Sequence, residues 1–204
     1  MLGIVIGVSS VMLVASIGKG TQALIVSQIS TIGTNLVGIL PGKSEANGPP
    51  AAVLGIIVRT LTTEDIDAIG SVPGVLAATG YVTARSEMQS AIANLDTDVV
   101  GVNSTYTLVE DQKLASGRFF TDDEEHRQSR VIILGPDARE KLFRDSDPVG
   151  QTVRFKGIQF TVIGVAAKRG ASLFGNFDGR SYAPISVVQN EILGIKYVNF
   201  ARAK

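Results

Sequence analysis

The first stretch of the chain, Met1–Ile17, is a mostly apolar run without a charged side chain. As a helix it would be roughly 25 Å long, close to the ~30 Å thickness of the hydrocarbon layer of a membrane. Because the run is apolar on every helical face, it predicts most of a transmembrane helix. Gly3 and Gly7 have the spacing that lets another helix approach closely in lipid. One alternative is a buried helix of a water-soluble protein. A signal peptide is disfavoured, because no Lys or Arg precedes the run.

The helical pattern continues past the apolar run as an amphipathic stretch. Ile25, Ile29 and Ile32 repeat at helical spacing, while glutamines and serines occupy the other face. We therefore predict one helix over residues 1–32, about 48 Å long, that leaves the membrane near residue 18 and continues into water as a stalk. The isoleucine stripe needs an apolar partner, which is either the following domain or a second helix.

Residues 33–204 alternate irregularly between short strand-like and helix-like stretches, and we predict that they form one mixed domain. The clearest buried strand spans residues 130–135, and residues 151–165 alternate in a way that predicts a tight hairpin. Thr62 and Thr121 each precede acidic residues, which is typical of capped helix starts. The irregular order favours an α+β fold over a doubly wound parallel sheet. Further elements are predicted as a short buried strand over residues 35–40, strands over 75–88, 99–102 and 197–203, and a helix capped by Ser186.

A glycine-rich stretch over residues 168–180, KRGASLFGNFDGR, places apolar side chains in a polar setting. One interpretation is that Leu173, Phe174 and Phe177 form an apolar tip that contacts a partner, since exposed apolar groups mark interaction sites. The plainer alternative is a connecting loop, and the composition favours that alternative.

Composition narrows the function classes. The 19 basic and 19 acidic side chains give a formal net charge of zero, which argues against a nucleic-acid-binding protein, because that class usually presents a basic face. The absence of cysteine excludes disulfides, thiol catalysis and cysteine-ligated zinc. His126 is the single histidine, so any histidine-based metal site or Ser-His-Asp triad would have to include it, which makes both kinds of site improbable on composition. We predict no catalytic, cofactor-binding or metal site.

The acidic run that follows Thr121 has two further interpretations. Adjacent acids on a helix point around its axis rather than to one place, so a solvated helix start is favoured over a metal site. An acid/base hydrolase using Asp122, Asp123 or Glu124 would need two carboxylates in different environments. These acids lie in one run that the pattern predicts to be exposed, which disfavours a hydrolase.

Several segments, in this order and spacing, resemble a known family. They are MLGIVIGV at 1–8, SIGKGTQ at 16–22, GTNL at 33–36 with Pro41-Gly42, LTTEDIDAI at 61–69 with VPGV at 72–75, GRFFT at 117–121, RVIILG at 130–135 and DPVGQTVRFKGIQFTVIGV at 147–165. Together they resemble the MacB/FtsX-type ABC transporter permeases, specifically the first transmembrane helix and the periplasmic core domain that follows it. The last segment is the most specific.

The resemblance implies an architecture and a function. The N-terminus would be cytoplasmic, the first helix would cross the inner membrane, and the residues after about 18 would lie on the periplasmic side. The chain would be a fragment of a longer, non-catalytic permease that couples cytoplasmic ATP hydrolysis to export or to mechanical work in the periplasm. The implied partners are an ABC-type ATPase, a homodimer or a paired permease, and a periplasmic adaptor or membrane fusion protein. The alternative is an FtsX-like, membrane-anchored binding or regulatory module without substrate translocation.

Overall fold

The computed structural model describes Met12 and residues 35–42, 58–172 and 175–204, except for the side chains of residues 171–175. Apart from Met12, the predicted helix over residues 1–32 lies outside the described residues and stays a prediction. Within the described ranges, no helix has the length and apolar character needed to cross a membrane. Residues Asn35–Lys204 group into one structural unit.

Short strands and shorter helices make up this unit. The strands are β1 (Val37–Ile39), β2 (Ala78–Gln89), β3 (Asn94–Val102), β4 (Leu114–Gly117), β5 (Val131–Leu134), β6 (Thr152–Phe155), β7 (Ile158–Ala166), β8 (Ala171–Ser172), β9 (Gly175–Asn176), β10 (Arg180–Pro184) and β11 (Phe200–Ala203). The helices are α1 (Thr63–Gly70), α2 (Tyr106–Glu110), α3 (Asp122–His126), α4 (Pro136–Phe143) and α5 (Ile185–Val187), which continues as a π-helix over Val188–Leu193.

Nine strands form one mixed sheet in the order β1-β11-β2-β3-β10-β5-β7-β4, with β6 paired to both β2 and β7. The pairs β3/β10 and β5/β7 are parallel, and the other pairs in the sheet are antiparallel. Because Met88 of β2 pairs with Phe155 of β6, the pairing closes a ring through β2, β3, β10, β5, β7 and β6. The predicted mixture of helices and strands and the predicted hairpin, now β6 and β7, are confirmed.

Successive residues of a strand point to opposite faces of the sheet, and each face carries a buried cluster over part of its area. Val82 and Ala183 lie in the larger apolar cluster, whereas their neighbours Tyr81 and Tyr182 lie in a second cluster that is rich in aromatic rings. Each large apolar side chain that is fully buried in this way contributes about 1.5–3 kcal/mol to folding. The largest fully buried side chains of the first cluster are Phe155, Phe160, Ile66, Met88, Ile132, Leu134, Leu142 and Ile185.

The two predicted helix caps are present as reciprocal capping boxes. The Thr62 side chain accepts a hydrogen bond from the backbone N–H of Asp65, and the Asp65 carboxylate accepts one from the Thr62 N–H at 2.8 Å. Thr121 and Glu124 make the same pair of contacts at the start of α3. These contacts satisfy backbone donors that the first helical turn leaves free.

The prediction of a buried strand over residues 35–40 is wrong about burial. Val37 in β1 is 62% exposed, and Ile39 packs only partly against the core. Within the described part of the chain, β1 pairs with β11 alone, so it lies at the edge of the sheet. A side chain on an edge strand has a neighbouring strand on one side only and is therefore covered less than one in the middle of a sheet.

Several boundaries also differ from the prediction, among them the starts of β2 and β11, which lie at Ala78 and Phe200 rather than at residues 75 and 197. β3 begins at Asn94 rather than at residue 99, because it pairs with β2 along its whole length, from Gln89↔Asn94 onward. The helix predicted to be capped by Ser186 begins at Ile185, so Ser186 lies inside it. The Ser186 hydroxyl instead donates a hydrogen bond to the backbone carbonyl of Glu125 at 2.7 Å.

Candidate functional site

The predicted contact segment connects β7 to β10. We call its described residues, 168–172 and 175–180, the contact loop. The strands β8 and β9 pair as a small antiparallel hairpin within it, in the register Ala171↔Asn176. The loop therefore has a regular internal structure rather than being an open connection.

Asp178 fastens the base of the contact loop. Its carboxylate accepts hydrogen bonds from the backbone N–H groups of Arg169 at 2.8 Å and Gly170 at 3.1 Å. Its backbone carbonyl accepts a hydrogen bond from the N–H of Asp137, in the first turn of α4, at 3.1 Å. Gly170 has a φ of +79°, a conformation that glycine adopts without steric cost. The two ends of the loop are thus held to each other and to a helix.

Phe177 is half-buried against two arginines of the same loop. The guanidinium carbon of Arg169 lies 4.8 Å from the centre of the Phe177 ring, and that of Arg180 lies 5.2 Å from it. A cation over an aromatic face is attracted by the negative face of the ring, by about 0.5–1 kcal/mol at exposed sites. The ring is therefore held in place and combines an apolar surface with two positive charges.

A buried carboxylate, Glu110 at the end of α2, lies behind the loop. Its side chain is only 2% exposed. One carboxylate oxygen accepts hydrogen bonds from the Tyr81 hydroxyl and from a guanidinium nitrogen of Arg202, both at 2.5 Å. The other oxygen lies 3.5 Å from a guanidinium nitrogen of Arg169. Burial raises the pKa of Tyr81, and the neighbouring Glu110 charge raises it further, so the hydroxyl stays protonated and remains a donor.

The aromatic cluster forms the floor beneath these charges. Tyr81 stacks on Phe200 with ring centres 4.3 Å apart, and Tyr106 packs against Tyr182 at 4.9 Å. The Arg202 guanidinium lies 5.8 Å from the centres of both the Tyr81 and Phe200 rings. Arg202 therefore covers the aromatic rings while its charge is held by Glu110.

A second feature of the unit is a cleft of about 840 Å³ between α1, α3 and the segment around α5. Its lining is mixed: it includes the acids Glu64, Asp67, Asp122 and Glu125 together with Lys196, and neutral polar and apolar side chains make up most of the rest. The described residues contain no group of three or more His, Cys, Asp or Glu side chains arranged to hold a metal ion. Every buried side-chain N or O atom in the described part of the chain also has a hydrogen-bond partner, so no buried group there is left unpaired for a ligand.

Glu125 corrects the expectation that the whole acidic run is solvated, because it is only 7% exposed. Its carboxylate oxygens accept hydrogen bonds from the Asn103 side-chain amide at 2.7 Å and from the Ser104 backbone N–H at 2.6 Å. Burial raises the pKa of Glu125, although these hydrogen bonds oppose the rise. The other acids named in the prediction, Asp122, Asp123 and Glu124, are exposed or only partly covered.

Glu124 has the opposite environment, because both of its oxygens accept hydrogen bonds from Arg118 at 2.7 Å. These bonds, together with the capping contact from Thr121, lower the pKa of Glu124 to about 2. Glu124 faces Arg118, whereas Glu125 faces Asn103 and Ser104, so the two carboxylates do not converge on one point. The geometry therefore does not support a hydrolase that uses the pair.

We expect Arg118→Gln to raise the pKa of Glu124 from about 2 towards its ordinary value of 4.5, stopping short of it because the capping contacts remain. Since the folded-state pKa is lowered, the stabilisation from this pair is present above pH 4.5 and is lost as the pH falls towards 2. Carboxyl-carbon NMR of Glu124 measures the midpoint. Arg127→Gln, in the exposed cap of α3, is the control and should leave it unchanged; equal midpoints in all three proteins would contradict the assignment.

Comparison with known proteins decides the family. The family model described as "MacB-like periplasmic core domain" matches residues 1–201. The chain belongs to this family. It is 33% identical to the macrolide export ATP-binding/permease protein MacB of Neisseria meningitidis serogroup A over 205 residues, covering 100% of this chain and 31% of that protein. It is 34% identical to the MacB of Azoarcus sp. strain BH72 over 199 residues, covering 97% of this chain and 29% of that protein. The chain thus spans less than a third of the length of these relatives.

Solved structures show the same fold. The periplasmic region of MacB from Actinobacillus actinomycetemcomitans superposes with a TM-score of 0.73 at 24% identity, covering 86% of this chain and 77% of that one. The extracellular domain of the noncanonic ABC-type transporter YknZ from Gram-positive bacteria superposes with a TM-score of 0.67 at 22% identity, covering 83% of each chain.

Most of the predicted site residues of this MacB-like chain lie outside the described residues. These are Gly3, Gly7, Ile25, Ile29, Ile32, Leu173 and Phe174. Phe177 is described, and the structure places its ring against Arg169 and Arg180. Its role in partner contact stays a prediction.

The charged group around Glu110 was not predicted from the sequence. Glu110 and Arg202 are 92 positions apart in the chain, so no local motif joins them. One signal was available: Arg202 and Lys204 alternate with alanines in the last strand, which places both cations on one face of that strand.

Proposed function

We propose that this chain is the first membrane segment and the periplasmic core domain of a non-catalytic ABC transporter permease. The observation that carries the proposal is the family match over residues 1–201, and the fold shared with the periplasmic region of a MacB supports it. In the proposed arrangement residues 1–32 cross the inner membrane and continue as a stalk. The residues after about 18 lie on the periplasmic side.

The proposed mechanism is that movement driven by a cytoplasmic ATPase reaches the periplasm through the stalk and this domain. The closed ring of strands, with a packed apolar cluster on each face, supports such a role. Close-packed interiors transmit displacement, because they switch between discrete arrangements rather than deform smoothly. The output is export of a substrate or mechanical work in the periplasm, and the names of the MacB relatives favour export.

The proposal assigns a role to each group of predicted contact residues. Gly3 and Gly7 would pack the first helix against another membrane helix, and the stripe of Ile25, Ile29 and Ile32 would pair the stalk with an apolar partner. Leu173, Phe174 and Phe177 would contact a partner at the contact loop. The proposed partners are an ABC-type ATPase, a second permease copy or paired permease, and a periplasmic adaptor or membrane fusion protein.

Charged substitution in the stalk tests the mechanism in the full-length parent protein. We expect Ile25→Glu together with Ile29→Glu to leave ATP hydrolysis measurable while export falls by about tenfold or more, because a buried charge breaks the apolar pairing. Purified ATPase activity and efflux of a macrolide from intact cells are the two readouts. Ser27→Glu adds a charge on the polar face of the same stretch and is the control.

Two outcomes would count against the proposal. Normal export by the Ile25→Glu, Ile29→Glu protein would reject the stalk as the transmitting element. If the parent protein purified from membranes neither hydrolyses ATP nor brings an ATPase with it, the transporter assignment falls. An FtsX-like anchored binding module would then explain the domain better.

A further inference from the structure

Two ion pairs join strand β11 to the end of helix α2. Arg202 pairs with Glu110 at 2.5 Å, and Lys204 pairs with Asp111 at 2.6 Å. Arg202 lies in β11 and Lys204 is the residue directly after that strand, so the two cations are alternate residues, and the two carboxylates are adjacent in sequence. The pairs differ in their surroundings, because the Glu110 side chain is 2% exposed and the Asp111 side chain is 70% exposed.

Only the buried pair reaches the contact loop. The second oxygen of Glu110 faces Arg169 at 3.5 Å, and Arg169 also lies 3.4 Å from the Gln112 side-chain oxygen. The same Arg169 lies over the Phe177 ring, and its backbone N–H is held by Asp178. One carboxylate therefore stands between strand β11 and the residues that hold Phe177.

Strand β11 stands at the other end of this connection. β11 lies between β1 and β2 and pairs with both, in the registers Val37↔Ala203 and Tyr81↔Phe200. Tyr81 also donates to Glu110, so a shift of β11 relative to β2 would alter two of the contacts of the carboxylate together.

Burial makes these contacts interdependent. In a protein interior a charge is poorly screened, and removing one partner of a buried pair leaves the remaining charge uncompensated. The Glu110 carboxylate contacts both arginines, but its contact with Arg202 is short and its contact with Arg169 is long. If Arg202 is replaced, Arg169 becomes the remaining cation that can compensate the negative charge of Glu110. The Arg169 guanidinium would then move towards Glu110 and away from the Phe177 ring.

We propose that Glu110 is a positioning residue that links strand β11 to the contact loop through Arg202 and Arg169. The importance of the loop as a contact rests on the proposed function, but the linkage is a property of the folded chain. It can therefore be tested without transport, an ATPase or a partner.

Hydrogen exchange of the full chain in detergent micelles tests the linkage. We expect Arg202→Gln to speed exchange of the Arg169 and Gly170 amides by about tenfold, because movement of the Arg169 guanidinium loosens the loop base. Lys204→Gln removes the neighbouring ion pair of the same strand and is the matched control, so it should leave these two amides within about twofold of wild type. The Ile132 and Ile133 amides of β5 report any general loss of stability.

The mediating role of Glu110 is tested in a second background. In a Glu110→Gln chain, adding Arg202→Gln should change loop exchange little, because the linking charge is already absent. The proposal is wrong if Arg202→Gln leaves the loop amides unchanged, if Lys204→Gln moves them equally, or if the effect of Arg202→Gln persists undiminished with Gln at 110. None of these results bears on whether the parent protein exports a substrate, so the two proposals fail separately.

Discussion

Alanine in place of Gly117 is expected to lower the free energy of unfolding by about 3 kcal/mol or more. Gly117 ends β4 with a φ of +73°, a conformation that costs an L-residue about 1–2 kcal/mol. A Cβ atom there would lie 2.2 Å from the backbone oxygen of Ile163 and 2.6 Å from the Cα of Gly164. Both atoms belong to the backbone of β7, so relief would require separating the β4/β7 pair.

The Gly117 prediction has a control that separates strain from collision. Gly150 has a φ of +85°, and a Cβ atom there would meet no atom within 4 Å. Gly150→Ala should therefore cost only the backbone strain, about 1–2 kcal/mol. Urea unfolding followed by circular dichroism measures both losses. If the two variants lose the same stability, the close approach of β4 to β7 does not control the effect.

Features that depend on neighbours in sequence were predictable. The Thr62 and Thr121 caps and the β6/β7 hairpin all rest on residues within a few positions of one another. In each case both partners of the contact lie within one local sequence motif, so the motif predicts the contact directly. The structure confirms these predictions.

Features that depend on the assembled sheet were not predictable. The ring closes because the end of β2, at Met88 and Gln89, pairs with β6 more than sixty positions later. Neither strand carries a local signal of its partner. The exposure of Val37 also follows from strand order, since it depends on β1 lying at the edge, and the residue pattern alone indicates only an apolar strand.

The candidate site also combines features that the local sequence predicts with features that depend on long-range contacts. The apolar character of Phe177 was visible in the sequence, and the two arginines that hold it are in the same segment. The contact of these arginines with the ring was not predicted, because a hydrophobicity pattern takes charged residues as indicators of solvent exposure and does not show that their side chains can pack on a ring. Glu110 is the opposite case: a carboxylate is expected at the surface, and only its long-range partners explain its burial.

The acidic run at α3 combines both kinds of feature. Acids at a helix start are favoured by the helix dipole wherever they point, so the run predicted the helix. Adjacent helical residues differ in direction by about 100°, so one of the four acids had to point towards the sheet. That residue is Glu125, which the structure places against Asn103 and Ser104 at the end of β3.

Removal of this buried carboxylate is expected to be strongly destabilising. Glu125→Ala leaves the buried Asn103 amide and the half-buried Ser104 backbone N–H without their acceptor; an unsatisfied buried donor costs about 1–3 kcal/mol, and the half-buried one costs less. The expected loss is therefore about 2–5 kcal/mol at neutral pH. Asp123→Ala removes an exposed acid from the same helix and should change stability by no more than about 0.5 kcal/mol.

The loss from Glu125→Ala should also depend on pH in a defined direction. Because burial raises the pKa of Glu125 above its ordinary value of 4.5, the folded chain holds that proton more tightly than the unfolded chain does. This pH-dependent part of the stabilisation is fully present below pH 4.5 and is lost as the pH rises through the raised pKa, whereas the cost of the unpaired donors remains at neutral pH. Urea unfolding should therefore show a larger difference between wild type and Glu125→Ala at pH 4 than at pH 7. A difference that grows with pH would mean that the hydrogen bonds to Asn103 and Ser104 outweigh burial and lower the pKa instead.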